Sequence, residues 1–307
     1  MNLNRRLFLK VAGAAGAVAA APVATARAAE GEVAPEISSE RRGVLVDTTK
    51  CVGCRACEAA CTETNRQPAP AMLDDPAVYT KGPRAMDTRH YTVVNAATTK
   101  AAAAAPARFI KRQCMHCLEP ACASACLVRA LNKTPTGPVE YHKDRCLGCR
   151  YCMVACPFDV PKYEYESPSP FVQKCTFCGD RQARGESPAC TSVCPSGALL
   201  FGRRTDLVDI ARERLYAKGS TYVRHIFGEN EVGGTSWMYI TDIPFDQLGL
   251  PTNLGTYAYS SLTQASLAAV PFVLTLWPPL LMGLYTFSKR RADVAAQESG
   301  DQEAHDE

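Results

Sequence analysis

Sixteen cysteines stand in this chain of 307 residues, all of them between positions 51 and 194. They fall into four groups: Cys51, Cys54, Cys57 and Cys61; Cys114, Cys117, Cys122 and Cys126; Cys146, Cys149, Cys152 and Cys156; and Cys175, Cys178, Cys190 and Cys194. Each group opens Cys-x2-Cys and closes Cys-x3-Cys, and only the middle gap varies. Lys50, Arg145 and Lys174 each precede a leading cysteine, and "CLVRAL" and "CPSGAL" repeat Ala-Leu at one offset after a closing cysteine. This is an internal repeat. Thiols so closely spaced can ligate metal as thiolates, exchange electrons or cross-link the chain.

The spacing discriminates between these chemistries. A zinc site uses two Cys-x2-Cys pairs across a longer loop and seldom crowds four cysteines into eleven residues. Disulfide frameworks belong mostly to short exported domains without a core, and nothing in them repeats x2 and x3 four times. A cubane iron–sulfur cluster needs four thiolates at tetrahedral corners. A Cys-x2-Cys-x2-Cys loop supplies three, and the cysteine beyond the x3 gap ligates the neighbouring cluster of a two-cluster ferredoxin. That closing cysteine is expected to start a helix, which the proline after it would fix at Pro157 and Pro195, whereas Thr62 and Leu127 stand at the same place in the first two groups. Sixteen cysteines in four such groups fill four clusters with none left over. His116, inside "CMHC", is a further ligand candidate, although the thiolates already fill every corner. Lys50, Arg145, Lys174 and the pair Lys111-Arg112 either tune cluster potentials or are solvated surface.

Residues 44–200 resemble the four-cluster, ferredoxin-type electron-transfer subunits of bacterial respiratory oxidoreductases. That resemblance implies an α+β fold of tandem bacterial-ferredoxin-like [4Fe-4S] modules with irregular insertions, and it pairs the first group with the fourth and the second with the third. Carried over by position, cluster one takes Cys51, Cys54, Cys57 and Cys194; cluster two takes Cys61, Cys175, Cys178 and Cys190. Cluster three takes Cys114, Cys117, Cys122 and Cys156; cluster four takes Cys126, Cys146, Cys149 and Cys152. The short spacer between Cys126 and Cys146 suits one compact two-cluster unit and supports the inner pairing.

The ends place these groups in a compartment. Residues 1–28 read as a signal peptide in which Arg5, Arg6, Phe8, Leu9 and Lys10 resemble the twin-arginine motif, implying export of a folded chain with its cofactors in place. Those 28 residues hold four cations and no acid. They account for the whole +3 of the chain, so no basic patch argues for nucleic acid. Near the other end, residues 263–288 are uncharged until Ser288 and long enough to span a bilayer of about 30 Å. Pro271, Pro278 and Pro279 are tolerable there only if hydroxyls or neighbouring helices serve the freed carbonyls. Lys289, Arg290 and Arg291 then predict a cytoplasmic C-terminus, with residues 289–307 an acidic, disordered tail.

Between these landmarks the expected organisation is a four-cluster domain over 43–202, interrupted by an insertion at 66–108 that reads mostly as loop apart from a short strand at 91–94. A small extension follows over 203–250, then a hinge over 251–262. "GVLVD" (43–47) and "GPVEYH" (137–142) read as strands before ligand loops. "RTDLVDIARERLYAKG" reads as an amphipathic helix with Thr205 or Asp206 near its cap, and "SWMYITDI" reads as a strand. No nucleotide loop or nucleophile–base set is present, so the expectation is an electron-transfer subunit, not an enzyme by itself.

"KRQCMHC", "GCRYCMVACPFDVPKYEY", "VCPSGALLFGRR" and "GGTSWMYITDIPFDQLGLP" deepen the likeness to the membrane-anchored iron–sulfur subunit of hydrogenase-2-type nickel–iron hydrogenases. That implies a hydrogenase small and large subunit and an integral membrane quinone-reactive subunit as partners, on the periplasmic face of the inner membrane. The alternatives are the beta subunit of a membrane-bound formate dehydrogenase or related molybdenum enzyme and, remotely, an exported structural protein held by metal or disulfides.

Overall fold

The computed structural model describes residues 41–68, 77–80, 82–97 and 107–303. The signal stretch 1–28 and most of the low-complexity part of the insertion lie outside them. In chain order the elements are β1 (Arg42–Asp47), α1 (Ala56–Thr64), α2 (Ala77–Thr80), β2 (Val93–Ala96), β3 (Phe109–Arg112), α3 (Ala121–Ser124), β4 (Leu131–Lys133), β5 (Val139–Tyr141), α4 (Tyr151–Val154), β6 (Lys162–Tyr163), β7 (Val172–Gln173), α5 (Gly179–Ala183), α6 (Ala189–Ser192), β8 (Leu199–Arg203), α7 (Arg204–Tyr216), β9 (Trp237–Ile240) and α8 (Tyr259–Glu303).

The topology repeats one device twice. β1, just before the first cysteine group, pairs antiparallel with β8, just after the fourth, with Val44 opposite Phe201. β4, just after the second group, pairs antiparallel with β5, just before the third, with Leu131 opposite Tyr141. Helices follow the strands: α1 packs on α6 and α3 on α4. First and fourth groups thus share one framework, second and third another.

β9 adds to β1 in parallel, with Val44 beside Trp237, so the sheet runs β8-β1-β9. Its four residues are all buried, and the run of aromatic and branched side chains explains both strand and burial. The segment 203–250 is therefore part of the core. Leu207, Val208, Ala211 and Leu215 of α7 pack on the sheet against Leu45, Met238 and Ile240. Neither Thr205 nor Asp206 caps α7. Arg203 holds the N-cap position without a side-chain bond there, and Asp206 instead accepts from Arg203 Nε at 2.8 Å.

Among its described residues the insertion is mostly loop, as expected, with one short helix, α2, and one strand. Its strand lies two residues later than expected, at β2, and pairs with β3, with Val94 opposite Lys111. It also carries Arg84 to Glu58, a buried carboxylate on α1. Glu58 Oε2 accepts from Arg55 Nη2 at 3.0 Å and Arg84 Nη1 at 3.1 Å, while Oε1 accepts from the Val94 N–H. Such a hydrogen-bond sink for a charged loop is invisible in local periodicity. Burial pushes the Glu58 carboxyl up, but Arg84 and Arg55 outweigh it and hold the group below the ordinary range. Its contribution is complete above the ordinary glutamate value and is lost as pH falls through the lowered one. Glu58→Ala is expected to cost about 3–5 kcal/mol, read as a fall in thermal midpoint at neutral pH, because it breaks the buried carboxylate's pairs with Arg55 and Arg84.

α8 is longer than the expected span. It starts at Tyr259 and continues to Glu303, through residues expected to be a disordered tail. The reason is propagation: a helix already nucleated extends readily through alanine, glutamine and glutamate, and no proline follows Pro279. Its apolar stretch, Ala269–Ala296, is unburied along its length, with Phe272 67% and Leu274 68% exposed. A core helix of a soluble domain would be covered.

Candidate metal centres

The closing cysteine does not start a helix. It follows one: Cys126 after α3, Cys156 after α4 and Cys194 after α6, while Cys57 and Cys61 both lie within α1. A helical turn between the third and fourth cysteines separates them by about 6 Å along the axis, so one short helix presents thiols to two neighbouring sites. Pro157 and Pro195 open the turn after that helix, closed by Asp159 N–H to the Cys156 carbonyl at 3.2 Å and Gly197 N–H to the Cys194 carbonyl at 3.4 Å. Leu127 takes the same place in a turn of the same form, where Arg129 N–H reaches the Cys126 carbonyl at 3.1 Å.

The Cys-x2-Cys loops also share one conformation. The residue before the second cysteine is left-handed in all four: Gly53 (φ 71°), His116 (φ 46°), Gly148 (φ 69°) and Phe177 (φ 56°). That twist turns backbone N–H groups toward the leading sulfur, as with Gly148 to Cys146 Sγ and Phe177 to Cys175 Sγ, both at 3.4 Å. Glycine is required at 53, where a Cβ would stand 2.9 Å from the Phe109 ring. His116 and Phe177 hold the same strained conformation by stacking on each other, ring centres 4.9 Å apart.

These loops and helices bring cysteines together across the groups. One cavity is lined by Cys51, Cys54, Cys57 and Cys194. A second is lined by Cys61, Cys175, Cys178 and Cys190. In the inner half, burial raises the Cys117 thiol, and Cys156, Cys114 and Cys122 add to it in that order. Burial likewise pushes Cys152 up to about 11, with Cys146, Cys149 and Cys126 contributing. Thiols of successive sets act on one another. Cys190 of the second acts on Cys57 of the first, Cys114 of the third on Cys175 of the second, and Cys152 of the fourth on Cys122 of the third.

All sixteen cysteines are free thiols. Their surroundings fit an anionic metal group. Lys111 and Lys174 are buried and Lys133 is half-buried, yet among the described residues none of the three forms an ion pair with a carboxylate. Lys174 Nζ instead donates to the Val139 and Cys175 carbonyls, and Lys133 Nζ to the His116 carbonyl at 2.9 Å. Burial pulls Lys133 down to about 7 although the Cys117 and Cys114 thiols oppose it. Ammonium groups buried without counter-charge are expensive, and a cube held by four thiolates supplies that charge. The buried indole N–H of Trp237, at the wall of the second cavity, also meets no acceptor among the described residues. Thiols raised this far become thiolates only when metal displaces their protons.

Of the other candidates, Lys50 and Arg145 are solvent-exposed, whereas Lys174 and Lys111 are not. His116 lies buried, its Nδ1 accepting the Val139 N–H at 2.9 Å, so it serves as a backbone brace. Sequence reasoning missed Lys133 and Trp237. The available signal for Trp237 was an unbroken apolar strand, far from any cysteine, in a segment selected by resemblance alone.

Residues 106–204 match the family described as 4Fe-4S dicluster domain. A protein of Nitratidesulfovibrio vulgaris (strain Hildenborough) is 47% identical over 302 residues, 97% of this chain and 80% of the relative. The Hydrogenase-2 operon protein HybA of Escherichia coli O157:H7 is 38% identical, covering 86% of this chain and 89% of the relative. The nitrate-inducible formate dehydrogenase iron-sulfur subunit of Escherichia coli (strain K12) is 32% identical, covering 75% and 80%.

Proposed function

The chain belongs to the family of 4Fe-4S electron-transfer subunits that includes HybA and the formate dehydrogenase iron-sulfur subunits, and from that premise we propose that it relays electrons through four clusters between a hydrogenase small subunit and an integral membrane quinone-reactive subunit. It is an iron–sulfur electron-transfer subunit of hydrogenase-2 type, without catalysis of its own. Each [4Fe-4S] cluster, when bound, takes up or gives back one electron.

The observation that carries the four-cluster reading is the crosswise lining of the two cavities, each by three cysteines of one group and one of its partner. The inner half repeats the strand and helix device of the outer half and supports two tandem ferredoxin-like modules, with the ligand sets carried over by resemblance. What the chain's own residues do is hold sixteen thiols at fixed spacing, keep water from the middle of the series and offer two ends. Cys54 in the first set and Cys149 in the fourth are exposed, so the series is most accessible at its termini.

α8 supports an anchor at the inner-module end. It packs on α3, which carries Cys122, and Ser260 Oγ donates to Glu119 Oε2 at 3.5 Å. Pro278 and Pro279 deprive the Leu274 and Thr275 carbonyls of their helical donors, and the Thr275 hydroxyl bonds those of Pro271 and Phe272 instead. A neighbouring membrane helix is one means of serving them. The resemblance of Arg5, Arg6, Phe8, Leu9 and Lys10 to a twin-arginine signal and the basic triplet after the span both support a periplasmic position for the clusters.

Purified full-length protein is expected to carry about sixteen iron atoms with matching labile sulfide, and a mild-detergent pull-down should retain a hydrogenase large subunit. Zinc, or neither iron nor sulfide, defeats the electron-transfer reading. A molybdenum enzyme in the pull-down favours the formate dehydrogenase alternative, to which the 32% relative lends weight.

A further inference from the structure

One side chain lines both outer cavities: Lys111, on β3. It is 2% exposed. Its ammonium lies 4.5 Å from the centre of the Trp237 ring and donates to Gln113 Oε1 at 3.0 Å. Gln113 Nε2 in turn donates to the Tyr239 hydroxyl at 2.7 Å, and that hydroxyl donates to the Lys111 carbonyl at 3.0 Å. Two strands therefore clamp the lysine in a closed ring of hydrogen bonds, far more than a snorkelling side chain needs. Among the described residues no carboxylate pairs with it. Burial would lower its pKa, but Cys190, Cys57, Cys175 and Cys61 raise it instead, and these belong to both cavities.

We propose that Lys111 is a positioning residue for electron passage between the first two centres: a fixed cation, shared by both, that holds their reduction potentials up and close together. The inference rests on the electron-transfer reading above. Reduction adds one negative charge to a centre, and a cation clamped nearby at low dielectric favours that charge. A single ammonium between two centres acts on both, so neither becomes a trap for the electron. In each transfer one centre loses an electron and its neighbour gains it. No proton need move, because Gln113 Oε1 is no base.

The test is an EPR-monitored redox titration, with iron analysis, of the detergent-solubilised complex carrying the full chain as wild type, Lys111→Met or Lys111→Arg. Methionine keeps the length and removes the charge. In that variant the equilibrium constant for reduction should fall at least about tenfold, about 59 mV for one electron, at two centres, with smaller changes at the others. Lys111→Arg should restore most of the shift. Equal shifts at all centres, no shift, or an arginine variant displaced as far as the methionine one would overturn the proposal. If Lys111→Met fails to load, loss confined to two centres and recovered by arginine supports it, and equal loss in both variants overturns it. An iron-free wild type would defeat the underlying reading instead.

Discussion

Cys156→Ala is expected to remove the centre built on Cys114, Cys117 and Cys122, leaving that of Cys146, Cys149 and Cys152 in place. Sequence proximity points the other way, since Cys156 closes the same run of residues as the latter three. The intervening helix α4 supports the crossed assignment. Cys152 lies within it, where Cys146, Cys149 and Cys126 act on its thiol. Cys156 lies beyond its end, in a turn, where burial lifts the thiol to about 11, the Val160 N–H partly relieves this and Cys114 opposes that relief. Cys156 is in turn the strongest thiol influence on Cys117. Iron should fall by about four atoms of about sixteen, with one spectroscopic component lost or converted. The converse variant, Cys126→Ala, should strike the Cys146–Cys152 centre. Loss of the Cys146–Cys152 centre alone in Cys156→Ala would overturn the crossed assignment.

Ending the chain at Ala258 should release it from the membrane fraction while its iron content stays near that of the full chain. The sheet β8-β1-β9, the β4–β5 pair and all sixteen cysteines precede α8, and the apolar side chains of Ala269–Ala296 contribute nothing to the folded core. A helix of that length and composition inserts with an affinity that no reversible anchor approaches. The milder variant Leu276→Arg places a charge on an exposed apolar position, 60% accessible, at about 2.5–3.5 kcal/mol. It should reduce membrane recovery without altering iron content. Membrane retention of the truncated chain through a partner would show that docking, and not α8, provides the anchor. Loss of iron would show that the contact of α8 with α3 supports the inner centres.

The sequence alone determined the chemistry. Soft thiols repeated four times at x2 and x3 select a cubane cluster over zinc or disulfides, because ligand type and local loop length are properties of a short stretch of chain. Strands at 43–47 and 137–142, helix α7, strand β9 and an unburied apolar span were legible for the same reason: each is written in local periodicity. The tertiary structure decided what lies across the chain. Cys194 meets Cys51 because β1 and β8 pair over more than a hundred residues, and that pairing depends on a register no local pattern encodes. The helix falls before the closing cysteine because it is the spacer between neighbouring sites, a role defined only once both sites exist. The basic residues divide by burial in the same way. Lys50 and Arg145 project into water, whereas Lys111 is enclosed by Trp237, Gln113 and two sets of thiols from four separate stretches of sequence. Identity made each of these a cation; only burial, which the whole fold confers, gives that charge a long reach.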